Sequence, residues 1–212
     1  MLKTKFKDYT DKISRKIGYI FSRMPFTPTT WTFFSIILAI TGFISLVYYK
    51  NMFMGFIFFF ISGFLDAVDG AVARATISVT KMGGYLDGII DRIVEGFLLI
   101  GLLIFGLPGF NIYDYWIPSY LWITLLLFFG SVLTSYARAY ASQKQVIVSA
   151  RVLDWMPGIL ERTERLIFIG VGMLLYYGKP VYTTYVIAIA SILSIITFFQ
   201  RIFFVFKHGV KK

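Results

Sequence analysis

The sequence predicts an all-α, polytopic membrane protein with six transmembrane helices and an N-terminal amphipathic interfacial helix. Three observations predict it. Of 212 residues, 58% are hydrophobic and only 15% charged, against about 25% charge in a typical globular domain. The apolar residues fall into runs near the ~20 residues that a bilayer-crossing helix needs, and mean hydropathy is +0.74. The basic excess, 21 Lys and Arg over 11 Asp and Glu, gathers at one set of span ends.

The elements follow in order. In residues 1–24, Leu2, Phe6, Tyr9, Ile13, Ile17, Ile20 and Met24 recur every three or four positions, with Lys3, Lys5, Lys7, Asp11, Lys12, Arg15 and Lys16 on the other face. That is the pattern of a basic helix lying in the membrane interface; a partner-binding helix is the alternative. No apolar run follows until Trp31, so these residues do not read as a signal peptide. Residues 25–212 form the transmembrane domain. Its spans are Trp31–Tyr49, Phe53–Arg74, Gly83–Phe105, Ser119–Ala141, Ile159–Tyr177 and Val181–Phe206. Gly106–Pro118 reads as a loop and Ser142–Gly158 as a polar connection. Six spans put both termini on one side. Only Lys50, Lys179 and Arg92 among the basic residues lie away from it. The positive-inside rule makes that side cytoplasmic, in the plasma membrane.

The composition also excludes chemistry. With no cysteine and one histidine, His208 in the basic tail, thiolate metal sites, disulfides and histidine-rich metal sites are absent. Carboxylate, hydroxyl and Lys/Arg chemistry remains. The net charge of +10 suits anionic lipid or anionic substrates. Nucleic acid is a poor partner for a chain whose apolar content comes in spans.

The densest chemistry lies in residues 66–91. Asp66 and Asp69 are three apart, Asp87 and Asp91 four apart, so each pair shares a helix face. The short Ala75–Met82 connection folds the two spans into a hairpin that lets the pairs face each other. An Asp at the membrane centre costs roughly 2.5–3.5 kcal/mol, and clustered carboxylates repel by about 4 kcal/mol per pair at 4 Å. Such a set needs cations. Hard oxygen ligands favour Mg²⁺, Mn²⁺ or Ca²⁺, and four carboxylates suit a site for two ions. Gly70 and Gly83 admit a close ligand, and Arg74 stands one turn beyond Gly70 to grip a phosphate. The plainer reading is that the acids pair with Arg74, Arg92, Arg138, Arg162, Arg165 and Arg201 as membrane glue.

The stretch Asp66-x2-Asp69-Gly70-x2-Ala73-Arg74-x8-Gly83-x3-Asp87-x3-Asp91 resembles the signature of the CDP-alcohol phosphotransferases at every defined position. Six spans and an interfacial helix extend the resemblance over nearly the whole chain. It implies that an alcohol attacks the β-phosphorus of a CDP-linked donor and CMP leaves. By this resemblance Asp66, Asp69 and Asp87 hold Mg²⁺ or Mn²⁺, in two ions. Asp91 is the catalytic base and also a metal ligand. Thr29, Thr30, Trp31, Thr32, Asp66, Gly70, Arg74 and Thr80 contact the CDP-lipid. A Pro-Asn pair is common in the family where this chain has Pro28-Thr29. A homodimer is implied too.

The acceptor is read from a second group. Ser135, Arg138, Arg162, Arg165 and Arg201 would line a cytoplasmic pocket fit for a doubly charged phosphate on a small alcohol, unless each simply snorkels at a span end. Ser135–Ala139, Glu161–Arg165 and Gln200-Arg201 resemble segments of the phosphatidylinositol-phosphate and archaetidylinositol-phosphate synthases. That implies inositol 1-phosphate as acceptor of a phosphatidyl or archaetidyl group. Arg138 stands where lysine is common, which keeps the charge; Tyr140 stands where arginine is common, which removes one and keeps glycerol 3-phosphate as the alternative. A cation transporter is the rival class, and a metal-bound scaffold without catalysis is a third. Glu95 continues the Asp87–Asp91 face, as a partner for Arg92 or another buried polar group. Trp31, Tyr48, Tyr49, Tyr113 and Trp116 read as interface anchors.

Overall fold

The computed structural model describes residues 16–76, 80–149, 152–153 and 155–209. Helices dominate. They are α1 (Pro28–Val47), α2 (Met52–Ala75), α3 (Lys81–Phe105), α4 (Ser119–Leu125), α5 (Thr134–Gln143), α6 (Arg162–Leu175) and α7 (Pro180–His208). A π-helical stretch, Leu126–Leu133, joins α4 to α5. Every expected span has its helix, with ends displaced by a few residues.

Thr30–Val47, Met52–Ala75, Ser119–Gln143 and Pro180–His208 are long and apolar enough to cross a membrane. The other two helices differ for physical reasons. α3 carries Asp87, Asp91, Arg92 and Glu95 along its length, and α6 has 14 residues, short of the ~20 that a perpendicular crossing takes. Of the expected interfacial helix, residues 1–15 lie outside the described residues, and residues 16–21 are helical.

The chain packs as two compact units, Met1–Ser45 with Met54–Leu98, and Leu46–Phe53 with Leu99–Lys212. In the first, Trp31, Val68 and Val72 form a buried cluster against which Ile17, Phe21 and Leu65 pack. Trp31 is 7% exposed and meets the rings of Phe21 and Phe26 edge-on, each at 5.4 Å. It is therefore a core residue and not the interface anchor that its place near a span end suggested. Gly18 is buried against α2, where a Cβ would collide with the carbonyl of Ala71. Farther along, Ser62 Oγ donates to the carbonyl of Ser35 at 2.7 Å, joining α1 to α2.

In the second unit α7 is the hub. Thr183, Thr184, Ser191, Ser194 and Thr197 are all fully buried. Thr183 Oγ1 donates to Gly172 O at 2.8 Å, Thr184 Oγ1 to Pro108 O at 2.7 Å, and Ser191 Oγ to Trp122 O at 2.7 Å. Thr197 Oγ1 accepts from the N–H of Leu160 at 3.1 Å. Small hydroxyl residues let membrane helices approach closely, and each interhelical bond contributes on the order of 0.6 kcal/mol.

The loop Gly106–Pro118 contains an antiparallel hairpin, β1 (Phe110–Ile112) and β2 (Tyr115–Ile117), paired from Phe110 with Ile117 to Ile112 with Tyr115. Tyr113 and Trp116 on it are 95% and 64% exposed, and Tyr48 and Tyr49 are exposed as well, which suits residues of an interfacial belt. Gly106, at φ +85°, ends α3 in the left-handed conformation that glycine adopts without strain. Lys50 then caps that helix. Its Nζ donates to the carbonyls of Ile104 at 2.6 Å and Phe105 at 3.3 Å, so this outlying cation neutralises a helix C-terminus.

Replacing Gly18 with Val should force residues 16–21 off α2. We expect a loss of about 1–3 kcal/mol, the usual range for overpacking, seen as a lower thermal midpoint of the purified protein in detergent. An unchanged midpoint would mean that this contact contributes nothing.

Candidate metal centre and active site

The site is built in the first unit from the last turns of α2 and the first turns of α3. Thr80 starts α3: its Oγ1 accepts the N–H of Gly83 at 2.9 Å, as an N-cap side chain does. Asp87 then falls in the second turn. On α2, Asp66 and Asp69 share a face three residues apart.

These choices bring three carboxylates together. One oxygen each from Asp66, Asp69 and Asp87 lie within 4.8 Å of one another, with Asp69 buried, Asp66 half-buried and Asp87 exposed. Asp69 has a further partner from α1, since Thr32 Oγ1 donates to its Oδ2 at 2.6 Å. The donor set is hard, anionic and open on one side, which fits a divalent cation of the Mg²⁺ or Mn²⁺ type.

Asp91 is not one of that group. It is 9% exposed, and its Oδ2 lies 3.4 Å from Arg92 Nη1, which also donates to the carbonyl of Gly88 at 2.8 Å. Glu95, one turn deeper on the same face, is 1% exposed. Gly70 gives room to Arg74: a Cβ there would sit 3.4 Å from the Arg74 guanidinium, so the arginine lies over the bare backbone beside Asp69.

The residues expected to touch nucleotide separate into kinds. Thr29 has no described side chain. Thr30 Oγ1 shares a hydrogen bond with Thr27 Oγ1 at 2.9 Å, and Thr32 is directed at Asp69. Trp31 is enclosed by aromatic rings, and its indole Nε1 is buried without a hydrogen-bond partner. Thr80 serves as a helix cap.

The arginine group belongs to the second unit. Arg165 is 3% exposed. Its Cδ and the Oγ of Ser194 each lie 3.1 Å from where a Cβ of Gly130 would stand, so glycine at that position makes room for both. Arg201 Nη1 donates to the carbonyl of Thr134 at 2.6 Å, tying α7 to the residue before Ser135. Ser135 and Arg162 are half-buried and Arg138 exposed. The π-helical turns end at Thr134, whose N–H bonds back to Phe129 O and whose Oγ1 bonds to Gly130 O. The extra residue rotates the face on which Ser135 and Arg138 stand, a use of π-turns common at functional sites.

Some features here escaped the sequence reading. Glu161 and Glu164 form a reciprocal capping box at the start of α6, a signal available from their three-residue spacing. Ser194 gave none, because a serine inside an apolar run has no periodic partner to mark it.

Comparison with known proteins agrees with this architecture. The family model for CDP-alcohol phosphatidyltransferases matches residues 26–199. An archaetidylinositol phosphate synthase of Pyrococcus horikoshii is 32% identical over 188 residues, covering 89% of this chain and 88% of the relative. A phosphatidylinositol phosphate synthase of Mycobacteroides abscessus is 28% identical, covering 87% and 80%. Among solved structures, phosphatidylinositol phosphate synthase of Mycobacterium tuberculosis with CDP-DAG bound superposes with a TM-score of 0.73 at 25% identity, over 92% of this chain and 94% of that one. The same enzyme in complex with manganese and citrate gives a TM-score of 0.73, over 91% and 88%. The complete eight-residue signature, the gathered carboxylates and a family match over most of its length together show that this membrane protein belongs to the CDP-alcohol phosphatidyltransferase family.

Proposed function

We propose that the protein transfers a phosphatidyl or archaetidyl group from a CDP-lipid to inositol 1-phosphate, releasing CMP. The observation that carries this is the cluster of Asp66, Asp69 and Asp87 inside an unbroken family signature. Relatives that cover most of the chain bear the name of inositol-phosphate lipid synthases. Asp66, Asp69 and Asp87 would hold Mg²⁺ or Mn²⁺, in two ions, and Asp91, outside their group, would serve as the base. A bound cation would neutralise pyrophosphate charge and stabilise the departing phosphate.

The chain's own groups do the rest. Arg74 and Gly70 take the nucleotide phosphates, Gly70 by exposing backbone and Arg74 by charge-assisted hydrogen bonds. Thr29, Thr30 and Thr80 complete the nucleotide contacts. Asp91 accepts the proton of the acceptor hydroxyl as its oxygen bonds to the β-phosphorus. The bond from that phosphorus to the bridging oxygen breaks, and CMP departs with the oxygen. Ser135, Arg138, Arg162, Arg165 and Arg201 bind the phosphate of the acceptor, and four arginines are more than a neutral alcohol would need. Glycerol 3-phosphate is the second reading of the acceptor, favoured by Tyr140 at a position where an arginine is common.

The full arrangement we infer is six spans, with α3 and α6 completing the four longer ones. The N-terminal interfacial helix is residues 1–24 and the catalytic domain 25–212. The basic excess supports termini and active site on the cytoplasmic side of the plasma membrane. Family resemblance supports a homodimer. A cation transporter would carry polar residues through the full depth of α2 and α3. The apolar half of α3 beyond Glu95 favours the transferase.

The test is CMP release by the purified protein from a CDP-lipid, with inositol 1-phosphate, glycerol 3-phosphate, inositol and serine compared as acceptors. Turnover with inositol 1-phosphate that stops on chelation and returns with Mg²⁺ or Mn²⁺ is expected. Activity that survives EDTA would overturn the metal reading. Asp91→Asn should cut turnover by about 10²–10⁴-fold, the usual worth of a general base, while Mn²⁺ binding persists because three carboxylates remain. Arg162→Ala should raise KM for inositol 1-phosphate by about 10–100-fold, in line with one charged hydrogen bond of ~1.5–3 kcal/mol, and leave KM for the CDP-lipid nearly unchanged. An unaltered KM for the acceptor would remove Arg162 from the phosphate site.

A further inference from the structure

We infer that Thr32 is a positioning residue for the metal centre, acting through Asp69 and not through the nucleotide. The inference rests on the metal reading above and deepens it. Thr32 stands at the start of the second turn of α1 and Asp69 in the last turns of α2, 37 residues later, yet Thr32 Oγ1 donates to Asp69 Oδ2 at 2.6 Å. That is the length of a charge-assisted O–H···O⁻ bond. A hydroxyl has one proton to give, and a carboxylate has none. The direction of donation is therefore fixed, and the bond orients the acid at the expense of the hydroxyl's freedom to contact a ligand.

The register of Thr32 is held independently on both sides. Trp31, one residue earlier, is locked among Val68 and Val72 of α2. Ser35, one turn later, donates to the carbonyl of Thr32 at 2.8 Å, and its own carbonyl accepts from Ser62 of α2 at 2.7 Å. Three contacts between the same two helices thus fall on one seam, with the Thr32–Asp69 bond nearest the carboxylate cluster. Threonine suits that place because its β-branch leaves few rotamers, so the hydroxyl is aimed before any cation arrives.

The consequence is specific. Asp69 is the most buried of the three clustered acids, and a buried carboxylate that can swing away from its neighbours would do so to relieve repulsion. Pinning one of its oxygens fixes the rotamer in which an oxygen of Asp69 stays within 4.8 Å of oxygens of Asp66 and Asp87. Thr32 therefore stores in the substrate-free protein part of the organisation that a divalent ion requires. Loss of such a supporting hydrogen bond typically weakens metal affinity by about 10–100-fold.

The experiment uses the purified full chain with Mn²⁺ alone, following free Mn²⁺ by electron paramagnetic resonance with no nucleotide or lipid donor added. Thr32→Val keeps the shape and removes the proton donor; it should weaken Mn²⁺ binding by about 10–100-fold. Thr32→Ser keeps the donor and should stay within about threefold of the parent. Where the valine variant does not fold, by its thermal midpoint without metal, Thr32→Ala carries the same expectation. Affinity within about twofold of the parent in the donor-less variant overturns the inference, and so does a serine variant as impaired as valine. Asp69→Asn separates the two layers. If it binds Mn²⁺ as tightly as the parent, the metal reading itself falls. If it loses Mn²⁺ while Thr32→Val does not, only the role of Thr32 falls.

Discussion

The constraint on which the first unit turns is the mutual repulsion of Asp66, Asp69 and Asp87. Their oxygens approach within 4.8 Å, where each pair of charges opposes folding by about 3–4 kcal/mol at an effective dielectric near 20. Apolar packing alone would let the helix ends splay until the charges parted. The fold instead closes the hairpin of α2 and α3 and sets α1 against α2 with Trp31, the Ser35–Ser62 bond and the Thr32–Asp69 bond. Gly18 permits residues 16–21 to press on the carbonyl of Ala71, two residues beyond Asp69. The helices are held so that the carboxylates stay crowded, which is the condition for capturing a divalent cation in an otherwise apolar setting.

The second unit solves a different problem. Most of its charges are cations, and its helices must carry them through largely apolar stretches. Hydroxyls on α7 reach carbonyls of Gly172, Pro108 and Trp122, giving direction to contacts that lipid-like side chains would leave sliding. Arg201 spends one N–H on the carbonyl of Thr134, at the point where the π-turn ends. An arginine at a span end thus orders the next helix as well as carrying charge, and the two roles are compatible because guanidinium has five donors.

Much of this was legible in the sequence, and the reason is physical. Charge in a bilayer is expensive, so the few acids that persist at fixed spacing in apolar runs mark themselves, as Asp66 to Asp91 do. Helix ends were legible too, since the charge of Lys50 and the missing backbone N–H of Pro118 and Pro180 interrupt apolar runs. What was hidden depended on contacts across sequence distance. Thr32 was grouped by resemblance with the CDP-lipid contacts, and nothing local shows that its partner lies 37 residues on. Trp31 near a span end fits an interface anchor as well as a core residue, and only the rings of Phe21 and Phe26 around it decide. The hairpin at Phe110–Ile117 was masked because three-residue strands carry too few positions for alternation to show.

The face of α3 adds a last step. Asp87 is exposed, Asp91 9% exposed and Glu95 1% exposed, so three acids on one stripe descend from the open end of the helix into its packed length. A metal ligand must remain an anion throughout a reaction, whereas a base must gain a proton and lose it again. One carboxylate serves both poorly, because a cation that holds the charge also resists the proton. Separation along the stripe resolves this. Asp87 stands with Asp66 and Asp69, where their shared charge calls for a cation, and Asp91 lies a turn away, beside the guanidinium of Arg92. Four-residue spacing keeps both acids on the same face, which is the separation that the proposed division of labour between metal ligand and base requires.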